Sequence, residues 1–252
     1  MDEAGCERQQ EKTDGMQELY PVCFEDLHAG SSVARLEEFL REKFWGRSGK
    51  GDGAWLRPLL EEALGMARPR GVYRVCRVES VGEDSVVIEG RTFRSRVLAV
   101  NLRSVYRVFP FVVTCGSELE GWARLERGPL ERAFAQASSL AILESSLGLL
   151  AERIRETHCP GGLSRMNPGS LDDWPLSEQK PLFDLLPGVE EQIGVRLRPD
   201  NLMEPVLSVS GLWFPAEQSF ESCMLCGMDK CPGRRAPYDP GLYDRKYRKK
   251  PC

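Results

Sequence analysis

Cys223, Cys226 and Cys231, three cysteines in a C-x2-C-x4-C pattern, are the residues here most suited to chemistry. Thiolates are soft, anionic donors, and three on one short segment can reach a single zinc or iron. Gly227 lets the segment curl back, and Lys230, Arg234 and Arg235 add positive charge that favours thiolate over thiol. A closed site needs a fourth ligand, which the segment itself lacks. Cys159, Cys115 and Cys252 are the candidates, because a distant ligand is normal in ferredoxin-like sites. Three reduced thiols, or a redox-sensing pair, would show the same spacing. A second segment, Arg165-Met166-Asn167-Pro168-Gly169-Ser170, sets a guanidinium beside a turn. That arrangement can pair with a carboxylate or make a structural salt bridge.

Composition bounds what these residues can serve. A chain of 252 residues, 41% hydrophobic and 29% charged, is ordinary for a soluble globular protein that buries a proper core. A net charge of -4 gives no general attraction to nucleic acid. Charge is uneven, because Lys230 to Lys250 holds eight basic residues against Asp239 and Asp244. That run reads first as a solvated tail and second as a docking surface for an acidic partner. No apolar run reads as a membrane span, and no signal peptide is recognised, so a cytoplasmic protein is expected. Nine cysteines in a reducing compartment argue against a disulfide framework.

Residues 1–19 read as a disordered tail, polar and without apolar period, ahead of a single domain over 20–252. Residues 220–252 form its Cys-containing, basic extension. Tyr20 to Leu27 reads as a short strand. Val33 to Phe44 and Trp55 to Arg68 have helical spacing, with Gly46 to Gly53 a loop between them. Val72 to Val81 alternates and returns through Gly82–Ser85 into Val86–Glu89, a hairpin. Val97–Leu102 and Val105–Cys115 read as further strands, the second apolar enough to be central. Gly128-Pro129 opens the longest helix, which runs to about Thr157 and stops at Cys159-Pro160-Gly161-Gly162. Ser177 caps a short helix, Val189–Val195 makes another turn, and Leu207–Phe214 alternates as a strand. Strands in succession between helices predict an α+β fold, a twisted antiparallel sheet flanked by helices.

Several segments together give a family resemblance. Arg165-x-Asn167-Pro168-Gly169, Leu182-Phe183-x-Leu185-Leu186, Ile193-Gly194, Ser208-Val209-Ser210-Gly211 and Thr114-Cys115-Gly116 resemble the activation domain of cobalamin-dependent methionine synthase, over roughly residues 70–222. The resemblance implies that domain's α+β fold and a site for S-adenosylmethionine. That ligand gives its methyl group to a corrinoid protein after one electron has reduced the inactive Co(II) state. By position, Arg165 falls on the arginine that holds the ligand and Gly169 on the glycine that lets backbone approach it. Asn167 and Trp213 would line the same pocket. Ser170 stands where the family has tyrosine, and Phe220 or Glu221 stands near a second tyrosine position. The Cys segment has no counterpart in the family.

The first reading is therefore an accessory protein of corrinoid-dependent methyl transfer that supports reactivation of a partner corrinoid protein. It would use a Cys-ligated metal or iron–sulfur cluster, S-adenosylmethionine, or both, with cobalamin only on the partner. The alternatives are a non-catalytic capping module with a structural zinc, and a subunit of a split methionine synthase. Asp172-Asp173 reads as a solvated turn, His28 and His158 as structural or surface residues, and no nucleic-acid motif is visible.

Overall fold

The structure is a computed structural model that describes residues 18–23, 36–38, 40–41, 56–125, 128–228, 231 and 234–249. Most of the expected tail, the ends of the Val33–Phe44 helix and the Gly46–Gly53 loop lie outside the described residues. The expected hairpin forms, with Val72–Val81 divided into two strands, and joins its neighbours in one large antiparallel sheet. Its strands are β1 (Leu19–Cys23), β2 (Arg70–Arg74), β3 (Cys76–Val81), β4 (Ser85–Ile88), β5 (Arg91–Arg94), β6 (Arg107–Thr114), β7 (Leu163–Met166) and β10 (Ser208–Pro215). β6 is the centre. It pairs with β2 and β3 along one edge and with β10 along the other, and β10 carries β7. A small pair, β8 (Arg196–Leu197) and β9 (Met203–Glu204), stands apart.

β6 is apolar because both its faces are covered. Phe109, Phe111 and Val113 point into one core with α1 (Leu56–Met66), α3 (Ser117–Ala123) and α4 (Pro129–His158). Val108 points to a second core on the opposite face, and Val112 to a third cluster with Leu186, Val189 and Ile193. Those last residues belong to or flank α5 (Gln179–Asp184) and α6 (Val189–Ile193). Period-two alternation along a strand separates these sets.

α4 follows the expected boundaries within a residue or two. Its apolar face, from Phe134 to Ile154, lies in the first core. Buried Ser139 and Ser146 return their hydroxyls to the carbonyls four residues back, at 2.9 and 2.8 Å. Contrary to the sequence expectation, α4 is long and apolar enough by length and composition to cross a membrane. Its charges other than Glu144 gather towards the ends, and its apolar residues pack in the first core.

At the C-terminal end of α4, His158 stacks on Phe109, meets Tyr20 and Tyr73 edge-on, and shares a 3.1 Å hydrogen bond with the Tyr73 hydroxyl. This is the structural role expected of a lone histidine. Burial first, and the charge of Arg107 second, push His158 below its ordinary value. The folded state therefore binds a proton less readily than the unfolded chain. The resulting stability is present above the unfolded-state value of about 6.5 and is lost as pH falls below it. Denaturant unfolding from pH 8 to about 5 should show that loss, and His158→Phe should flatten it.

One expected strand is a helix. Val97–Leu102 lies in α2 (Arg96–Asn101), not in the sheet. The Ser95 side chain caps it by accepting from Leu98 N at 2.9 Å. Asp173 reaches in from a distant turn, where the Ser95 hydroxyl, Arg96 N at 3.1 Å and Val97 N at 2.9 Å all donate to its carboxylate. A carboxylate at a helix start satisfies amides with no partner inside the helix. Asp173 is thus a long-range cap rather than a solvated turn residue. Asp173→Ala is expected to cost about 1–2 kcal/mol, measured by denaturant unfolding.

The basic C-terminal run is not a solvated tail. A short π-helical turn, Tyr243–Tyr247, lies against α2, and Tyr247 is fully buried in the second core beside Phe220. Its hydroxyl donates to Asn101 Oδ1 at 3.0 Å. Arg245 pairs with Asp239, Arg248 with Asp244, and Lys249 with Glu83 and Asp84. Much of the charge that read as partner-seeking is neutralised within the chain.

Candidate functional site

β7 brings Arg165 under α4. The residue is 3% exposed, its guanidinium lies 5.3 Å over the Trp213 ring, and its Nη2 is 3.6 Å from Glu144. Its Nε and the Trp213 Nε1 are buried without a hydrogen-bond partner. Burial first, then the charge of Arg235, pushes the Arg165 guanidinium down from its ordinary value, with Glu144 and Glu221 acting the other way. A guanidinium still keeps its charge in such a place. Glu144 was not picked out from sequence. It had a signal, being the lone charge in the apolar stretch Leu140–Leu150, where a carboxylate requires a partner.

The turn after Arg165 is held closely against β10. Asn167 Nδ2 donates to the Ser210 carbonyl at 2.7 Å, and Ser170 Oγ donates to Asn167 O at 2.6 Å. Gly169 adopts φ +79, which favours glycine, and its N–H donates to Trp174 O at 2.7 Å. Gly211 makes the close approach possible, since a Cβ there would sit 2.5 Å from Met166 O and 2.6 Å from Asn167 Nδ2. The five residues expected to line a ligand pocket (Arg165, Asn167, Gly169, Ser170, Trp213) therefore gather on β7, β10 and the turn between Met166 and Trp174. Arg165 and Asn167 are already bonded to the protein.

The chain leaving β10 comes back beside this turn. Phe220 N donates to Ser164 Oγ at 2.8 Å, Glu221 forms an isolated parallel bridge with Arg165, and Ser222 Oγ lies 3.2 Å from Ser170 Oγ. The Cys segment starts at that point. Arg234 clasps it, donating to the carbonyls of Cys223 and Cys226 at 3.0 Å each and of Ala236 at 3.1 Å. The Arg235 amide donates to Cys223 Sγ at 3.4 Å. The Arg235 guanidinium donates to Glu221 at 2.8 Å and stands 3.9 Å from Glu144. Burial works against its charge, but the hydrogen bond and charge of Glu221, with Glu144, hold Arg235 above its ordinary value. Two guanidiniums and two carboxylates thus join the Cys segment to the Arg165 turn. The thiol segment and the arginine turn are neighbours.

The cysteines divide by surroundings. Cys223, Cys226 and Cys231 are half-buried, whereas burial pushes the buried Cys76 and Cys115 thiols up to about 12. Cys115 is a core residue, which removes it as a practical fourth ligand. Cys159 packs against the first core, and Cys252 lies outside the described residues. Among the described residues no group of three His, Cys, Asp or Glu side chains comes together to hold a metal. The donor type of the three thiols suits a thiolate-bound metal, and an N–H is donated to one sulfur, but the thiols do not converge on one point. Native alkylation followed by mass mapping should modify Cys223, Cys226 and Cys231 in the metal-free protein well before Cys76 or Cys115.

No protein-family model and no curated protein matches this sequence. Solved structures do match it. A crystal structure of the MetH reactivation domain bound to AdoHcy superposes with a TM-score of 0.57 at 18% identity, covering 82% of this chain and 81% of that one. The chain has the mixed α+β fold of the MetH reactivation domain, a large antiparallel sheet flanked by helices.

Proposed function

We propose that this chain is an accessory protein of corrinoid-dependent methyl transfer and supports reactivation of a partner corrinoid protein. The observation that carries the reading is the reactivation-domain fold with an arginine–glycine turn, Arg165 to Ser170, seated on β7 and β10. The solved domain binds AdoHcy, so the ligand class proposed here is S-adenosylmethionine or its demethylated product. Cobalamin belongs to the partner. When bound there, S-adenosylmethionine supplies the methyl group, and the residues of this chain orient it. Asn167 and Gly169 fix the turn, and Trp213 forms its aromatic wall. The Cys segment is proposed as a metal-holding loop, with Cys223, Cys226 and Cys231 as ligands.

A second reading is a capping module that docks on the corrinoid protein and does no chemistry. One observation favours it: Arg165 is occupied by Glu144 and 3% exposed, so it has little surface to offer a ligand. Two measurements separate the readings. Calorimetry with S-adenosylhomocysteine should show saturable binding under the first reading and none under the second. Metal analysis of anaerobically purified protein should give iron with visible absorption under the first, and one colourless zinc under the second.

A further inference from the structure

A cleft of about 690 Å³ lies between the approach to β6, the exit of β10 and the π-helical turn. Its volume falls within the range of small-molecule sites, about 300–1,000 Å³. Phe214 and Phe220, both buried, give it an apolar floor. Tyr106 lines it with 82% of its surface exposed. The charged residues in the lining are Arg107, Lys246 and Glu217, a net positive charge. No carboxylate pairs with Arg107 or Lys246 among the described residues, although most other cations of the C-terminal run are paired. Lys246 is held in place: its Nζ donates to Asn101 Oδ1 at 2.9 Å and lies 5.7 Å over the Phe220 ring and 5.3 Å over the Tyr247 ring. Burial pushes it below its ordinary value.

From the cleft's shape, its unpaired cations and its exposed ring, we infer that it binds a small organic anion with a flat aromatic part, such as an aromatic phosphate. Lys246 and Arg107 meet the anionic group by charge-assisted hydrogen bonds, and Tyr106 stacks on the ring. An ammonium fixed by Asn101 and two rings has lost much of its side-chain freedom before any ligand arrives, which lowers the entropy cost of binding. This inference does not rest on the corrinoid reading. It concerns other residues and makes no use of Arg165 or the thiols.

The test is calorimetry on the full chain with adenosine monophosphate, alongside adenosine without the phosphate and inorganic phosphate without the ring. Saturable binding is expected for the monophosphate, with each fragment at least about tenfold weaker. Lys246→Ala and Arg107→Ala should each weaken the monophosphate about tenfold or more. Thermal melting of both variants beside the wild type checks that each is folded. No binding by the wild type overturns the inference. So does binding that both variants keep unchanged, or equal binding of adenosine and its monophosphate.

Discussion

Tyr247→Ala is expected to lower the unfolding free energy by about 3–5 kcal/mol, the usual cost of removing a large buried aromatic. Tyr247 is completely buried although it sits in a run of basic residues at the C-terminal end. The substitution opens a cavity beside Phe220 and α2 and removes the hydroxyl from Asn101. Tyr247→Phe separates the two losses, since it keeps the ring and gives up one hydrogen bond, at about 1 kcal/mol. Chemical denaturation of both variants measures the difference. A Tyr247→Ala cost near zero would mean that the C-terminal segment is detachable after all.

Gly211→Val should be nearly as damaging. A side chain there meets a backbone carbonyl, Met166 O, and the Asn167 amide at distances no Cβ tolerates. The β7–β10 pairing must move apart, breaking the Asn167–Ser210 hydrogen bond and lifting the Arg165 turn off its strand. Overpacking of a tight interior costs about 1–3 kcal/mol, and the lost hydrogen bond adds about 1 more. The variant should therefore lose both stability and any binding at the turn. Gly65→Ala is the control. Gly65 lies in α1 with nothing near its added methyl, so that change should be neutral or slightly stabilising.

These two sites show what a sequence carries and what it hides. β10 and α4 were readable because their apolar residues repeat with the period of their own element, and β6 because an unbroken apolar run suits a strand covered on both faces. Val97–Leu102 was misread because a short apolar run suits a buried strand and a buried helix equally. The deciding group, Asp173, lies about 77 positions away and touches the helix only once the chain has folded. Tyr247 was lost among charges for a similar reason, because nothing local marks one aromatic as the anchor of a basic run. The site residues on β7 and β10 were legible as a motif. Their pairing with Glu144 and Arg235 was not, although Glu144 stands out as a lone charge in an apolar stretch, because an ion pair between a helix and a returning loop leaves no spacing rule. The thiol segment was legible as a pattern, while its attachment to Arg165 through Glu221 and Arg235 is a product of the fold.

The proposed service to a corrinoid partner has a direct test. The most direct measurement loads a corrinoid protein with cobalamin in the Co(II) state and supplies S-adenosylmethionine and a one-electron donor. The formation of methylcobalamin is then followed by absorption, with and without this chain. Reduction by one electron gives Co(I), which takes the methyl group and leaves S-adenosylhomocysteine. The account predicts that the chain accelerates this conversion and that Gly211→Val does not. Equal rates with and without the chain, together with no complex between the two proteins, would contradict it.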